Sequence, residues 1–312
     1  MNHKKLISVL TPCYNEEKNI EEVYLKVKEI FEEFEEYDYE HIFIDNASSD
    51  KTVSILKSIA SKDPRIKIII NARNFGVIRS YYYGLLQAYG DAVVLIFADL
   101  QEPPSLIKEF IKKWEEGYKV VQAVKTFSEE NYLLFTIKKL YYYFLGKVSE
   151  VELSGNTSGF GLYDQTILNV LRQIDDPYPY FKGLISEIGF DKAKIPYTQN
   201  KRKRGVSAMN FYKLYDYAML GITSHSKVPL RLATMVGFSL SVLCCLLAIG
   251  TFVAKLLFWN YFPIGIAALI IGVFFLSSVQ LFFIGMIGEY IGLMNMRMLK
   301  RPLVIERERI NF

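Results

Sequence analysis

Two uncharged runs constrain this chain more than any other feature: Leu232 to Ala254 and Ile264 to Gly288 contain no Asp, Glu, Lys or Arg. Each is close to the ~20 residues that a helix needs to cross the hydrocarbon core of a bilayer. The other way to house such runs is a buried helical pair in a soluble protein, which their length and bracketing charges disfavour. Lys227 and Arg231 precede the first run, Arg297, Lys300 and Arg301 follow the second, and the connection carries only Lys255. Because positive flanks stay in the cytoplasm, both termini are expected there, with a short hairpin outside. The expected organisation is a cytosolic globular domain over 1–225, a two-helix transmembrane hairpin over 226–290 and a cytosolic tail over 291–312. That makes a multi-pass protein of the cell (inner) membrane.

The rest of the composition is unexceptional. A net charge of +4 does not point to nucleic acid. Cys13, Cys244 and Cys245 have no spacing of a zinc site or a disulfide framework. The apolar stretch after Lys4 and Lys5 is too short for a signal-peptide core.

Residues 1–125 alternate strand and helix patterns. Strands are expected at Leu6–Leu10, His41–Ile44, Ile66–Ile70, Ala92–Phe97 and Lys119–Val124. Between the first two, Ile20, Val23, Tyr24, Val27, Ile30, Phe31 and Phe34 recur at helical spacing, with Asn15 as the expected cap. Val53, Leu56 and Ile59 mark a second helix. A third follows Pro103-Pro104, with Leu106, Ile107, Phe110, Ile111 and Trp114 on its buried face. Such alternation implies a mostly parallel sheet covered on both faces, with ligands beyond the carboxyl ends of its strands. Two aromatic-rich, lysine-flanked patterns, near 130–148 and 210–224, suit helices at the membrane interface or packed on the domain.

The loops at those strand ends read Thr11-Pro12-Cys13-Tyr14-Asn15-Glu16, Asp45-Asn46-Ala47-Ser48-Ser49-Asp50-Lys51-Thr52, Arg73-Asn74-Phe75-Gly76 and Ala98-Asp99-Leu100-Gln101-Glu102-Pro103-Pro104. Together they resemble the family-two inverting glycosyltransferases of the GT-A fold, in the branch of dolichol-phosphate mannose synthase and undecaprenyl-phosphate glucosyltransferases. Pro12 to Glu16 matches P-x-Y-N-E, Asp45 to Thr52 matches D-D-x-S-x-D-x-T, and Ala98 to Pro104 matches the end of D-A-D-L-Q-x-P-P. Tyr180 to Leu184 resembles P-Y-F-R-G-L, and Arg202 to Ser207 resembles R-x-x-G-x-S. The likeness extends through Gly221 to Ser224 and Pro229 to Arg231 into the hairpin.

The resemblance implies an α/β fold of the GT-A (Rossmann-like) kind, with a mixed, mostly parallel sheet, and transfer of a hexose from a nucleotide diphosphate sugar, UDP-glucose by default, to polyprenyl phosphate. A Mg2+ or Mn2+ ion would be held at Asp99 and Gln101 and would stabilise the departing diphosphate. Pro12, Tyr14, Glu16, Asp45 and Asn46 would bind the nucleotide, with Arg73 and Arg79 facing its phosphates and Asp99 nearby. Lys125, Arg202, Arg204 and Ser207 would take the acceptor phosphate. Tetramers occur among relatives, so a homo-oligomer is a candidate state.

Some positions depart from the pattern. Phe97 stands where D-A-D has its first aspartate, and Asn46 replaces the second aspartate of D-D. In Ser158 to Asp164, set against G-D-F-R-L-x-D, Gly159 replaces the proposed catalytic aspartate and Gly161 the arginine. That leaves Asp164 and Glu187 as candidate bases. A phosphate acceptor, largely dianionic above its second pKa of ~6, needs a base less than an alcohol would. With Ala208, often lysine in the family, these losses also fit a degenerate membrane scaffold or lipid-phosphate binder. A processive polysaccharide synthase is a further alternative, but its Q-x-x-R-W element is missing.

Overall fold

Runs of aliphatic residues become the central strands of one sheet. The protein is described by a computed structural model covering residues 4–34, 36–127, 157–199, 219–221, 228–257 and 266–312. Strands β1 (Lys5–Cys13), β2 (Tyr37–Asp45), β3 (Ile66–Asn71) and β4 (Ala92–Leu95) run parallel, aligned so that Cys13 pairs with Asp45 and Asp45 with Ile70. β5 (Val120–Phe127) and β7 (Lys192–Thr198) are parallel to each other, and β6 (Thr157–Asp164) lies antiparallel between β5 and β4. A last strand, β8 (Glu306–Ile310), closes the other side antiparallel to β3, giving the order β7-β5-β6-β4-β1-β2-β3-β8. This is the expected mixed, mostly parallel sheet.

Helices cover both faces. On one, α1 (Ile20–Glu32), α2 (Thr52–Ala60) and α4 (Leu106–Glu115) bury apolar stripes against the strands. The stripe expected after Pro103-Pro104 is the one buried: Leu106, Ile107, Phe110, Ile111 and Trp114. On the other face lie α3 (Val77–Leu86), α5 (Gln165–Gln173) and α6 (Phe181–Glu187), through Tyr81, Tyr82, Leu85, Ile167, Leu171 and Phe181. Asn15 does not cap α1, which begins only at Ile20. Its backbone is left-handed (φ 57°), which a short polar side chain tolerates, and its Oδ1 accepts instead from the Ser49 N–H.

Two long helices follow, α7 (Val228–Leu257) and α8 (Ile266–Met298), in contact with each other. Among the described residues one segment, Phe275–Met298, is long and apolar enough to cross a membrane, and 6% of its apolar window is buried. A core helix of a soluble protein would be mostly buried, whereas Phe275, Leu281, Phe282, Ile284 and Ile291 are exposed.

The expected tail over 291–312 is divided. Residues 291–298 complete α8, where Leu293 packs on Tyr180 and Arg297 pairs with Asp176 at 3.1 Å, and the chain then returns to the sheet as β8. A Glu-Arg-Glu-Arg strand has no hydrophobic alternation to announce it, and its charges suit a sheet edge. The first interfacial helix pattern, near 130–148, lies outside the described residues. Of the second, only 219–221 are described; they are helical, and Leu220 is buried against Tyr180 and Leu293.

Candidate active site

The carboxyl ends of β1 and β2 stand side by side, and the loops that leave them are laced together. Asn15 N donates to Ser48 Oγ (2.8 Å), Glu16 N to Thr52 Oγ1 (2.9 Å), Glu17 N to Asp50 Oδ2 (3.1 Å) and Lys51 N to Glu17 Oε2 (3.0 Å). Backbone N–H groups that a loop would otherwise leave open are satisfied by hydroxyls and carboxylates of its neighbour. Glu16 is itself buried and accepts from Asn19 Nδ2, so it holds the loop. Pro12 lies inside β1, while Tyr14 is 40% exposed and presents an open ring.

Asp45 ends β2 fully buried. It accepts from Ser48 N (2.9 Å) and Ser48 Oγ. Burial pushes its carboxyl up, and the Ser48 bonds only partly offset this.

Asn46 explains its own departure from the family pattern. Its Oδ1 accepts from Phe75 N (2.9 Å) and Asn71 Nδ2 (3.1 Å), and its Nδ2 donates to Asn74 Oδ1 (3.0 Å). The backbone N–H of Phe75 fixes which way the amide points. An aspartate could not donate to Asn74 and would set two acceptors against each other. Asn46→Asp is therefore expected to destabilise the 71–76 loop by about 1–3 kcal/mol. A lower Tm together with weaker nucleotide binding checks this.

The two arginines of the next loop are differently placed. Arg73 is exposed, with its guanidinium 4.0 Å from the Phe75 ring centroid. Arg79 is partly buried: its Nε donates to the Leu303 carbonyl (2.8 Å) and its Nη2 to the Pro302 carbonyl (2.7 Å). The arginine expected to face the phosphates is thus tied through Nε and Nη2 to the segment leading into β8.

After β4 the chain makes a tight turn through Leu100 (φ 55°), with Gln101 N donating to Asp99 Oδ1 (3.2 Å). Asp99 is half-buried, and Gln101 Oε1 lies 3.5 Å from Gln199 Nε2. Asp99 and Gln101 offer hard oxygen donors of the kind that Mg2+ or Mn2+ prefers. Among the described residues no cluster of three or more His, Cys, Asp or Glu side chains could hold a metal by itself. The donor set therefore fits an ion that also takes oxygens from a bound diphosphate.

Sequence reasoning missed Glu102. It is 3% exposed and hydrogen-bonded to Ser158 and Tyr197, so it fastens the Asp99 loop to β6 and β7. Burial, with Asp99 close by, raises its carboxyl to about 7, although Ser158, Lys125 and Tyr197 pull the other way. Lys125, the expected acceptor cation, lies in β5 within the electrostatic reach of this group. No local pattern marks Glu102, because its partners come from distant strands.

Neither candidate base is near Asp99. Asp164 ends β6 opposite Ala92, the first residue of β4, and so lies at the amino edge of the parallel strands. It caps α5 through Thr166 N (2.9 Å) and accepts from Trp114 Nε1 (2.7 Å) and Lys119 Nζ (3.0 Å). Burial pushes its carboxyl up, but the Thr166, Trp114 and Lys119 bonds win and hold it below the ordinary aspartate range. The expectation for Asp164 is thus corrected: antiparallel β6 carries it away from the site. Asp164→Ala is expected to cost about 1–3 kcal/mol of stability through the lost cap and the unpaired Trp114. Turnover per folded molecule is expected to stay within about twofold, since a group at that edge has no contact to add in the transition state. Comparing Tm with kcat decides the matter. Glu187 is the exposed last residue of α6, which leads from Phe181, near Gly159, back towards the start of β7, so it too leaves the Asp99 loop.

The glycines follow from packing. Gly159 has φ +98°, and a Cβ there would face Leu95 and Phe181 at 3.5–3.8 Å, so an aspartate would be strained. At Gly161 a Cβ would lie 2.2 Å from the Val121 carbonyl, which leaves no room for arginine. Phe97 packs edge-on against Tyr81, with centroids 6.2 Å apart. Arg202, Arg204 and Ser207 lie outside the described residues.

Residues 8–172 match the family described as Glycosyl transferase family 2. The chain is 36% identical over 303 residues to CsbB of Bacillus subtilis (strain 168), named as a candidate glycosyltransferase, covering 97% of this chain and 92% of that protein. It is 33% identical over 301 residues to the SfII prophage-derived bactoprenol glucosyl transferase of Shigella flexneri, covering 96% of each. Among solved structures, glucosyl-3-phosphoglycerate synthase from Mycobacterium tuberculosis, in complex with Mn2+, UDP and phosphoglyceric acid, aligns at a TM-score of 0.48 and 21% identity, covering 70% of this chain and 76% of that one.

Proposed function

Since the chain belongs to glycosyl transferase family 2 and is a glycosyltransferase, we propose that it moves a hexose, glucose from UDP-glucose, onto polyprenyl phosphate at the cytoplasmic membrane face, with inversion at the anomeric carbon. The observation that carries this reading is the joint placement of Asp45 and the Asp99–Gln101 turn at one edge of a sheet whose chain continues into an exposed apolar helix. The near full-length likeness to a protein named bactoprenol glucosyl transferase supports the acceptor.

In this reading Pro12, Tyr14, Asp45 and Asn46 seat the nucleotide, with Arg73 near its phosphates. Asp99 and Gln101 hold Mg2+ or Mn2+, which when bound supplies positive charge against the leaving diphosphate. Lys125, with Arg202, Arg204 and Ser207, receives the acceptor phosphate. That group is already dianionic for the most part at neutral pH, so orientation and shielding from water replace proton abstraction.

The return of β8 supports a hairpin. Because β1–β7 and β8 share one sheet, the chain must enter α7 and leave α8 on the same side of any membrane, which requires an even number of crossings. If Phe275–Met298 crosses once, α7 is the available partner among the described residues: its 30 residues span about 45 Å, more than a ~30 Å hydrocarbon core.

The test is to incubate the purified full chain with radiolabelled UDP-glucose and undecaprenyl phosphate, with Mn2+ or with a chelator. Metal-dependent label in the organic phase, and release of UDP only when the lipid is present, are expected. Label that stays aqueous with every nucleotide sugar tried would overturn the reading.

A further inference from the structure

Strand β8 carries four charges in a row, Glu306, Arg307, Glu308 and Arg309, and three of them are engaged. Glu306 accepts from Tyr83 Oη (2.8 Å) and pairs with Arg309, Glu308 pairs with Lys57 at 2.6 Å, and Arg309 also reaches Gln87 Oε1 at 2.8 Å. Arg307 is exposed and, among the described residues, has no hydrogen bond or ion pair.

Its position in the strand is unusual. Ile70 of β3 faces Glu308 but the next residue, Asn71, faces Glu306, so Arg307 is the extra residue of a β-bulge. The side chains on either side show the break in alternation: Glu306 turns to Tyr83 of α3 on one face of the sheet, and Glu308 to Lys57 of α2 on the other. In a regular strand residues two apart share a face. A bulge re-aims a side chain, and this one stands at the carboxyl edge, where Ile70 pairs with Asp45 and Asn71 supports Asn46. The charge of Arg307 is felt at Asp45, where it works against the upward push of burial.

We propose that Arg307 is a donor-binding residue, a guanidinium that the far end of the chain delivers to the oxygen acceptors of the bound nucleoside diphosphate beside Asp45. The inference rests on the donor reading above. Asp45 has its own hydrogen bonds from Ser48 and is buried, so it does not fold Arg307 into an ion pair. A planar, permanently charged fork at this place suits phosphate or pyrimidine carbonyl oxygens. The consequence is a donor site that is complete only when the segment beyond α8 is seated on β3.

The experiment is calorimetric titration of the full chain in detergent with UDP and with GDP, each with Mn2+, and with uridine. Arg307→Ala is expected to weaken binding of the preferred nucleotide about tenfold, and Arg307→Lys by less, with Tm unchanged because the side chain is exposed. A loss seen with UDP but not uridine locates the contact on the diphosphate, and an equal loss with both locates it on the nucleoside; each supports the inference. Wild-type affinity in Arg307→Ala, or a loss that comes with a matching fall in Tm, would overturn it while leaving the donor reading intact. No nucleotide binding by the wild-type chain would remove the donor reading and this inference with it.

Discussion

Asp99→Ala is expected to lower the rate of lipid-linked sugar formation by about a thousandfold or more, with the fold intact. Removing one preorganised electrostatic contact to a developing charge costs ~100–1,000-fold in well-studied enzymes, and in the proposed reading the side chain is also the metal's anchor. The loss is steep because there is little redundancy. Phe97 occupies the place of the first aspartate and packs on Tyr81, Gln101 is neutral, and Glu102 is buried against Ser158 and Tyr197 with its carboxyl raised to about 7. With Asp99 gone, no exposed carboxylate remains in the 97–102 turn. Asp99→Asn keeps the shape and loses the charge, so it is expected to fall nearly as far. Single-turnover assays over a range of Mn2+ read the effect, with a thermal melt as control. Undiminished turnover in Asp99→Ala would mean that the site has been put in the wrong place.

Truncation after Arg301 is the other large effect expected. It removes β8 and so strips the Ala72 N to Ile305 O bond, the Lys57–Glu308 pair and both carbonyls that hold Arg79. It also frees the Ala60 and Ile66 carbonyls that Asn311 caps and exposes the surface covering Val304. Set against the ordering of a short segment, the net loss is about 3 kcal/mol. For a domain of this size that lowers Tm by roughly 6–12 °C. The bare β3 edge, rich in isoleucine, should also aggregate, because an uncovered strand invites pairing. Nucleotide affinity is expected to fall as the 71–76 loop loses its brace. A truncated chain with the melting curve and nucleotide affinity of the full one would refute this role.

These two predictions differ in how far the sequence anticipates them. The Asp99 loop is a short motif beside a recognisable strand, and Pro12 to Glu16 and Asp45 to Thr52 are equally local. Each can be read because its residues are neighbours in the chain. β8 cannot be read that way. Lys57 and Glu308 are 251 positions apart, and an edge strand of alternating charges has the composition of a solvated tail. The same limit explains Asp164: the antiparallel course of β6, invisible in its own residues, carries it to the opposite edge from Asp99.

The amino-acid sequence by itself determined the α/β alternation, the motif-bearing loops at the strand ends and the apolar runs, because periodicity and short motifs are properties of adjacent residues. Only the tertiary structure decided that Asp164 caps a helix, that Glu102 ties the Asp99 loop to β6 and β7, that Gly161 has no room for arginine and that the chain's end returns to pair with β3. Those outcomes depend on which strand lies beside which, and that choice is made by burial and backbone pairing between segments the sequence keeps far apart.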